Sequence, residues 1–216
     1  QAAHDAYARA LKLADADEKA DQAFVAALLT DSGSEERILG NTSDAMAFLE
    51  RARKIRRSRF GEESLETAAT ENELAVTLAD LRRLDEAEEL QRHVLDVRTA
   101  RLGPDDAGVA AALNNLALVH QYRRDYPEAA SLFGHALAIR EARFGTGHRA
   151  VAASHNNLGA LERLRGNPDA AVEHLRLALA IDKATLGIDH PETAQTLQNL
   201  ADALLASGQT AEADAD

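Results

Sequence analysis

Apolar and small side chains recur at helical spacing along most of the chain. Between residues 106 and 123, Val109, Leu113 and Leu116 lie three or four positions apart, which places them on one face of an α-helix. The same spacing returns between residues 126 and 143. The pattern predicts two amphipathic helices, and the short connection between them predicts that they run antiparallel.

The helix pair repeats with a step of 42 residues. An Asn-Asn-Leu-Ala segment begins at Asn114, and related copies begin at Asn72, Asn156 and Gln198. Many positions sharing one step over four copies indicate a repeat architecture. Other positions that keep the step are Gly61, Gly103, Gly145 and Gly187; Ala87, Ala129, Ala171 and Ala213; and Ile55, Val97, Ile139 and Ile181.

Glycine marks the end of the second helix in each copy. Because glycine has no Cβ, we predict that Gly61, Gly103, Gly145 and Gly187 terminate helices by entering a left-handed conformation. A single helix pair cannot bury both of its faces, whereas stacked pairs share a continuous core. The repeat therefore predicts an all-α fold, a curved solenoid of antiparallel helix pairs.

The beginning of the chain fits the repeat less well. Residues 6–13 and 23–29 are predicted to be helical, and residues 31–34 and 40–43 are predicted to be turns. We therefore expect residues 1–42 to form a degenerate or capping helical repeat. The sequence starts with glutamine instead of methionine, which suggests a fragment or a processed product.

Composition limits both partners and chemistry. The chain has 24 Lys and Arg against 36 Asp and Glu, a net charge of −12, so it would repel nucleic acid. The absence of cysteine excludes disulfides, thiolate zinc ligands and a cysteine nucleophile. No stretch approaches the ~20 apolar residues of a membrane helix. We expect a soluble chain, with the cytoplasm slightly favoured over the periplasm.

Eight histidines raise the question of a metal or catalytic site. His148 and His190 share one repeat position just before a first helix, and His155 follows soon after His148. They form no His-Glu-x-x-His pair, so capping or surface roles are favoured over metal ligation. No serine lies in a strand-turn-helix elbow, and no glycine-rich loop is built to hold a phosphate. We predict no catalytic residue, metal or cofactor, and therefore no enzyme.

Basic residues form one cluster and also recur at two repeat positions. We call the residues that share one repeat position a column. The cluster comprises Arg51, Arg53, Lys54, Arg56, Arg57 and Arg59; the columns are Arg56, Arg98 and Arg140, interrupted by Asp182, and Arg59, Arg101 and Arg143, interrupted by Thr185. One interpretation is structural, with the arginines complementing helix ends and pairing with carboxylates between repeats. The other is a site for an anion or an acidic partner. The net acidity of the chain favours the structural interpretation.

Side-chain amides form a column on the first helices. Asn72, Asn114, Asn156 and Gln198 recur once per repeat, each close to a further polar residue. An amide both donates and accepts, so a regular row could bind the backbone of an extended peptide whatever its sequence. The same amides could instead bond to the neighbouring helix and hold the stack together. Both roles stay open, and they are compatible.

These columns resemble tetratricopeptide repeats of the kinesin light chain-like type, which have 42 rather than 34 residues per unit. The matching segments include residues 113–117, 136–140 and 144–145, and equivalent segments recur in the next unit. The resemblance implies a right-handed superhelical solenoid of antiparallel helix pairs.

Three positions depart from the family pattern. Glu71 and His155 stand where the first helix usually has a large apolar residue, and Glu162 stands where it has an aromatic residue or leucine. These changes affect local packing rather than the architecture. The resemblance divides the chain into an array at 43–216, with full units near 68–109, 110–151 and 152–193 and a truncated last unit at 194–216.

By the resemblance, the first helices line a concave groove that binds a peptide. Relatives that bind chaperones use a Lys/Asn clamp for a terminal carboxylate, but Val76, Leu118 and Ala160 stand where polar clamp residues would be. A partner segment with apolar side chains fits better. The groove residues implied are Asn72, Val76, Asn114, Leu118, Gln121, Tyr122, Asn156, Ala160, Arg163, Gln198, Asp202 and Leu205.

The leading functional hypothesis is therefore a non-catalytic protein–protein interaction scaffold. One alternative is the binding of an apolar small molecule or lipid within the superhelix. Another is a module that positions a catalytic or signalling domain lying outside this sequence. Self-association through the exposed last repeat is a further possibility.

Overall fold

The computed structural model describes residues 21–209. The helix predicted at residues 6–13 and the truncated helix predicted after residue 209 lie outside the described residues. Within the described range, the structure has nine α-helices and no β-strand. The helices are α1 (Gln22–Ile38), α2 (Thr42–Phe60), α3 (Leu65–Asp80), α4 (Leu84–Leu102), α5 (Ala107–Tyr122), α6 (Tyr126–Phe144), α7 (Arg149–Leu164), α8 (Pro168–Thr185) and α9 (Pro191–Ser207).

Consecutive helices pack in pairs at the step that the sequence predicts. The second helices begin at Thr42, Leu84, Tyr126 and Pro168, each 42 residues after the one before. The chain divides after Pro104 into two compact units. Unit 1 contains α1 to α4, and unit 2 contains α5 to α9. The predicted all-α fold of paired helices is confirmed.

The turn predicted at residues 31–34 is wrong, because α1 continues through this segment to Ile38. Gly33 lies inside the helix, at the repeat position that Ala75 occupies in α3. A Cβ atom on Gly33 would lie 2.6 Å from Leu49 Cγ of α2. The glycine therefore allows close helix packing and does not mark a turn.

The second helices end at glycine, as predicted, but with a different backbone conformation. Gly61, Gly103 and Gly145 have φ angles of 87°, 90° and 80°, with ψ angles of 166°, 156° and 159°. The prediction of a left-handed helical conformation is wrong, because the chain leaves each helix in an extended direction. Residues with a Cβ rarely adopt this combination of angles, so the backbone requires glycine here. Gly187 follows the end of α8 in the same column, with a φ of 88°.

Each unit has an apolar core between its helices. In unit 1, Val25 and Leu29 of α1 pack with Ala52 of α2. In unit 2, Phe133 of α6 is fully buried beside Leu161 of α7. Burial of one such leucine or phenylalanine side chain contributes about 1.5–3 kcal/mol. Among the helices in residues 21–209, none is both long and apolar enough to cross a bilayer.

Candidate functional site

The groove residues implied for unit 2 lie on the exposed sides of its three first helices, α5, α7 and α9. Buried leucines on each helix face the opposite way, at Leu116, Leu158 and Leu200. We call the exposed set the first-helix face. Its members are Asn114, Leu118, Gln121 and Tyr122 on α5; Asn156, Ala160 and Arg163 on α7; and Gln198, Asp202 and Leu205 on α9, all partly or fully exposed.

Asparagine side chains connect neighbouring first helices in unit 2. Asn157 Nδ2 donates to Asn114 Oδ1 at 2.8 Å, and Asn199 Nδ2 donates to Asn156 Oδ1 at 2.9 Å. The interpretation of the amide column as a bond between helices is therefore confirmed at these positions. Gln198 departs from it, because its Nε2 donates to Asp202 Oδ1 on the same helix at 3.0 Å.

The two groove residues implied for unit 1 lie on α3, and Asn72 is held by other side chains. Its Nδ2 donates to Glu73 Oε1 at 3.1 Å. The buried Gln91 of α4 donates from Nε2 to Asn72 Oδ1 at 3.3 Å. Val76 is half-buried on the same helix. In unit 1 the amide thus helps to attach the second helix to the first.

Apolar side chains on the first-helix face are accessible at several points. Leu118 packs partly against the cluster around Phe133, while Tyr122 is 39% exposed and Leu205 is 56% exposed. Leu164 at the end of α7 is 45% exposed. The face therefore combines amides with apolar side chains, which suits a peptide that has both a polar backbone and apolar side chains.

Within each unit, one arginine of the first column joins a second helix to the next first helix. Arg56 Nη1 donates to Thr70 Oγ1 at 2.7 Å and to the Glu66 carbonyl at 2.9 Å. Arg140 Nη1 makes the equivalent bond to Ser154 Oγ at 2.6 Å. Burial lowers the pKa of Arg140 from its ordinary value. These contacts confirm the structural interpretation of the column.

The second arginine column attaches the ends of α2, α4 and α6 to the start of their own pairs. Arg59 forms an ion pair with Asp21 at 3.0 Å, and Arg143 forms one with Asp106 at 3.1 Å. Arg101 Nε donates to a backbone carbonyl just before α3, at 3.0 Å. The arginines of this column are therefore engaged within the protein, which weakens the alternative of an anion site.

Histidines cap helices, as predicted for one column. His148 Nδ1 accepts a hydrogen bond from the Ala150 amide at 3.1 Å, and His190 Nδ1 accepts one from the Glu192 amide at 3.2 Å. These bonds satisfy amides that have no partner within the helix. In the part of the chain that the structure describes, no three metal-ligating side chains form a cluster.

Two of the cavities in the described part of unit 2 bear on ligand binding. One of about 180 Å³ includes Asn156 of the first-helix face, and its other lining residues are mostly polar or charged. A second cavity, of about 500 Å³, lies beside His155 and Leu177, away from the first-helix face.

Comparison with known families decides the relationship. The family model described as tetratricopeptide repeat matches residues 66–142 and 150–215, about two thirds of the chain. The chain belongs to the tetratricopeptide repeat family. Such domains generally act as scaffolds for protein–protein interactions and are typically non-catalytic.

Solved structures support this assignment. BtubC (BKLC) from P. vanneervenii superposes with a TM-score of 0.79 at 22% identity, covering 98% of this chain and 85% of that chain. A putative kinesin light chain with nearly identical TPR-like repeats, from Podosopora anserina, gives 0.73 at 25% identity, covering 90% and 92%. A second crystal structure under the same description, of a substituted form, gives 0.72 at 25% identity, covering 86% and 88%. A search of curated proteins found no match. The kinesin light chain-like type and the repeat solenoid class are confirmed.

Two features of this tetratricopeptide repeat protein could not be read from the family pattern. Gln91 stands where Phe133 and Leu175 stand in later repeats, and only the structure shows that it holds Asn72. Asp182 lines the cavity of about 180 Å³ beside the first-helix face. The interruption of the arginine column was the signal in the sequence that could have located it.

Proposed function

We propose that the protein is a non-catalytic scaffold and that the first-helix face of unit 2 binds a peptide segment of a partner protein. The observation that carries the proposal is the combination of exposed Tyr122 and Leu205 with a regular row of amides on adjacent helices. Apolar side chains of the peptide would contact Leu118, Tyr122 and Leu205. Its backbone would bond to the amides.

The amides retain hydrogen-bonding capacity for a peptide. Asn114 and Asn156 each use Oδ1 to accept from the next helix, and their Nδ2 groups have no hydrogen-bond partner within residues 21–209. Each Nδ2 could therefore donate to a peptide carbonyl while Oδ1 keeps the helices connected. One residue type would then serve both roles that the sequence leaves open.

A capture experiment tests the face. The intact chain and a Leu118→Asp/Tyr122→Asp variant are immobilised, and bound proteins from a matched cell extract are quantified. We expect the variant to lose partner binding about tenfold or more, because the new charges would be desolvated in the contact. A Ser131→Asp/Ala138→Asp variant, with the same charge change on exposed positions of α6, is the control. Equal capture by all three proteins would contradict the proposal.

A second pair of substitutions separates the two roles of the amides. In Asn114→Asp/Asn156→Asp, the carboxylate oxygens still accept from Asn157 and Asn199, but the donors to the peptide are gone. We expect little loss of stability and a clear loss of partner binding. Unchanged binding would show that the amides only connect helices.

A further inference from the structure

The first arginine column has a defined place for a guanidinium group between a second helix and the next first helix. In unit 2, Arg140 of α6 reaches α7, where Ser154 Oγ accepts at 2.6 Å and the Ala150 carbonyl accepts at 3.4 Å. Arg56 uses the equivalent acceptors on α3 in unit 1, at 2.7 Å and 2.9 Å. A hydroxyl and a backbone carbonyl one turn apart therefore form a recurrent guanidinium site in this chain.

In the last described repeat, the acceptors are present but the arginine is not. Asp182 of α8 occupies the position of Arg140 one repeat earlier. Thr196 of α9 corresponds to Ser154, and the Glu192 carbonyl corresponds to that of Ala150. Instead of a guanidinium group, this place has a cavity of about 180 Å³, room for several water molecules at about 30 Å³ each.

A buried carboxylate lines this cavity. Asp182 is 5% exposed, and its Oδ2 accepts a hydrogen bond from Thr196 Oγ1 at 2.8 Å. No cationic side chain among residues 21–209 pairs with it. Unit 1 also has a buried carboxylate, Glu71, at a different repeat position, and there Arg53 Nε lies 2.8 Å from the carboxylate. A buried carboxylate with only a hydroxyl donor has strong capacity left for a cation.

The rest of the lining is suited to a cation that enters from the first-helix face. Arg149 and Glu192 form an exposed ion pair at 2.9 Å, so together with Asp182 the lining carries one net negative charge. Asn156, half-buried on the first-helix face, and the exposed Gln195 also line the cavity. A peptide lying along that face could therefore place one side chain in the cavity.

We propose that this cavity is a specificity subsite that takes an arginine side chain of the bound partner. The proposal rests on the peptide-binding function proposed above and adds a chemical requirement to it. The partner's guanidinium group donates to the Asp182 carboxylate and lies beside Thr196, replacing in trans the arginine that the column supplies elsewhere in cis. Arginine is preferred to lysine because its planar group offers five donors at fixed angles to the several acceptors present.

Binding of short blocked peptides tests the subsite directly. Isotope-labelled protein is titrated with an acetylated, amidated Ala-Ala-Arg-Ala-Ala peptide, and amide chemical shifts are followed by NMR. We expect saturable shifts at Asp182, Thr196 and Asn156 with arginine, weaker binding with lysine, and none with the neutral isostere citrulline. Free arginine is expected to bind less tightly than the peptide. Equal shifts with citrulline, or tighter binding of free arginine, would overturn the proposal.

Two substitutions at one position complete the test. Asp182→Asn keeps an oxygen for Thr196 but removes the charge, so arginine peptide binding should weaken about tenfold or more. Asp182→Arg restores the column residue, which should fill the cavity as Arg140 fills its own place. This variant should fold, gain thermal stability and no longer bind the peptide. Peptide binding retained in both variants would show that the cavity is not the site.

The outcome is separable from that of the proposed function. The Leu118→Asp/Tyr122→Asp variant should lose the partner yet still bind the short arginine peptide, because neither residue lines the cavity. If Asp182→Asn captures the partner as well as the intact chain does, the scaffold function stands and the arginine subsite falls.

Discussion

The same repeat position is filled by Glu71 in unit 1 and by His155 in unit 2. Glu71 is completely buried; Arg53 Nε donates to its Oε1 at 2.8 Å, and His93 Nδ1 lies 2.6 Å from its Oε2. His155 is 8% exposed, and its Nδ1 lies 3.0 Å from Nδ1 of His174. Unit 1 therefore pairs a buried carboxylate with an arginine and a histidine, whereas unit 2 holds two imidazoles side by side.

The difference shows that the repeat backbone does not require an apolar residue at this position. Whichever residue occupies the position, side chains of the surrounding second helices must complement it. Leu113 and Leu197 fill the position in the other two repeats, and Leu197 packs against the buried cluster of α8 and α9. The departure at Glu71 is matched by a second one: its partner Arg53 stands in a column that is otherwise Leu95, Leu137 and Leu179.

The largest effect is expected from breaking the compensation in unit 1. Arg53→Leu leaves the buried Glu71 carboxylate with only His93, so we expect a loss of about 2–3 kcal/mol in the free energy of unfolding. Urea titration followed by circular dichroism measures it. The double variant Arg53→Leu/Glu71→Leu replaces both groups with the column residues and should recover most of the loss. A double variant as unstable as Arg53→Leu alone would refute paired compensation.

A smaller effect is expected from close helix packing, which the two units share. A Cβ on Gly159 of α7 would lie 2.6 Å from Leu175 Cγ, the same distance as between Gly33 and Leu49 in unit 1. Gly159→Ala should therefore cost about 1–2 kcal/mol, because overpacking exceeds the gain in helix propensity.

A second glycine in unit 2 provides the matched control. Gly134 of α6 has nothing within 4 Å of its ideal Cβ. Gly134→Ala should stabilise the protein by about 0.5–1 kcal/mol through helix propensity alone. Thermal unfolding of both variants measures the contrast, and a similar shift in the same direction would contradict the packing account.

The turns within the pairs give a still smaller effect. Gly40, Gly166 and Gly208 have positive φ angles there, but the same column has Arg82 at 61° and Arg124 at 63°. Arg124→Gly should stabilise unit 2 by up to about 1 kcal/mol, because a residue with a Cβ is strained at positive φ. A lower melting temperature would mean that the arginine side chain contributes more than the strain.

The gentlest perturbation is a change of pH, which should act on the two units in opposite directions. Burial lowers the pKa of His93, but the Glu71 and Glu63 carboxylates outweigh it and raise the pKa above 6.5. The folded state therefore binds the His93 proton more tightly than the unfolded state does. The resulting contribution to the free energy of unfolding is full below pH 6.5 and is lost as the pH rises through the raised pKa.

In unit 2 the sign is reversed. Burial, with the charge of His174, lowers the pKa of His155 despite Glu141. Burial also lowers that of His174 despite Glu162 and Glu173. The contribution of these two histidines to the free energy of unfolding is full above pH 6.5 and is lost as the pH falls through their lowered pKa values. Hydrogen exchange of each unit, corrected for intrinsic rates, should show opposite trends. His155→Leu should reduce the loss of stability in acid, because only the His174 contribution remains, and parallel trends in both units would contradict the account.

The architecture was predictable because the repeat step fixes many positions at once. The starts of α2, α4, α6 and α8 and the glycine ends of the second helices follow from columns alone. The sequence wrongly predicts a turn at Gly33, because the residues at 31–34 are small or polar, although the repeat column of Gly33 contains only alanine and glycine. Comparing columns was therefore more informative than local turn chemistry.

The candidate site was less predictable, because its properties depend on which partner each side chain meets. The sequence identified Asn114 and Asn156 but could not show that they use Oδ1 and not Nδ2 between the helices. It marked Asp182 only as an interruption of a column. Only the structure shows that this interruption leaves a cavity with a buried carboxylate.

Site-specific photo-crosslinking in cells tests the central claim most directly. A photoreactive residue is placed at Leu118 on the first-helix face, and in a matched protein at Ala138 on the exposed side of α6. We expect a discrete partner adduct at Leu118 and none at Ala138, and competition by an excess of unlabelled intact chain should remove it. Adducts of equal yield at both positions, or at Ala138 only, would contradict a scaffold that binds its partner through the first helices.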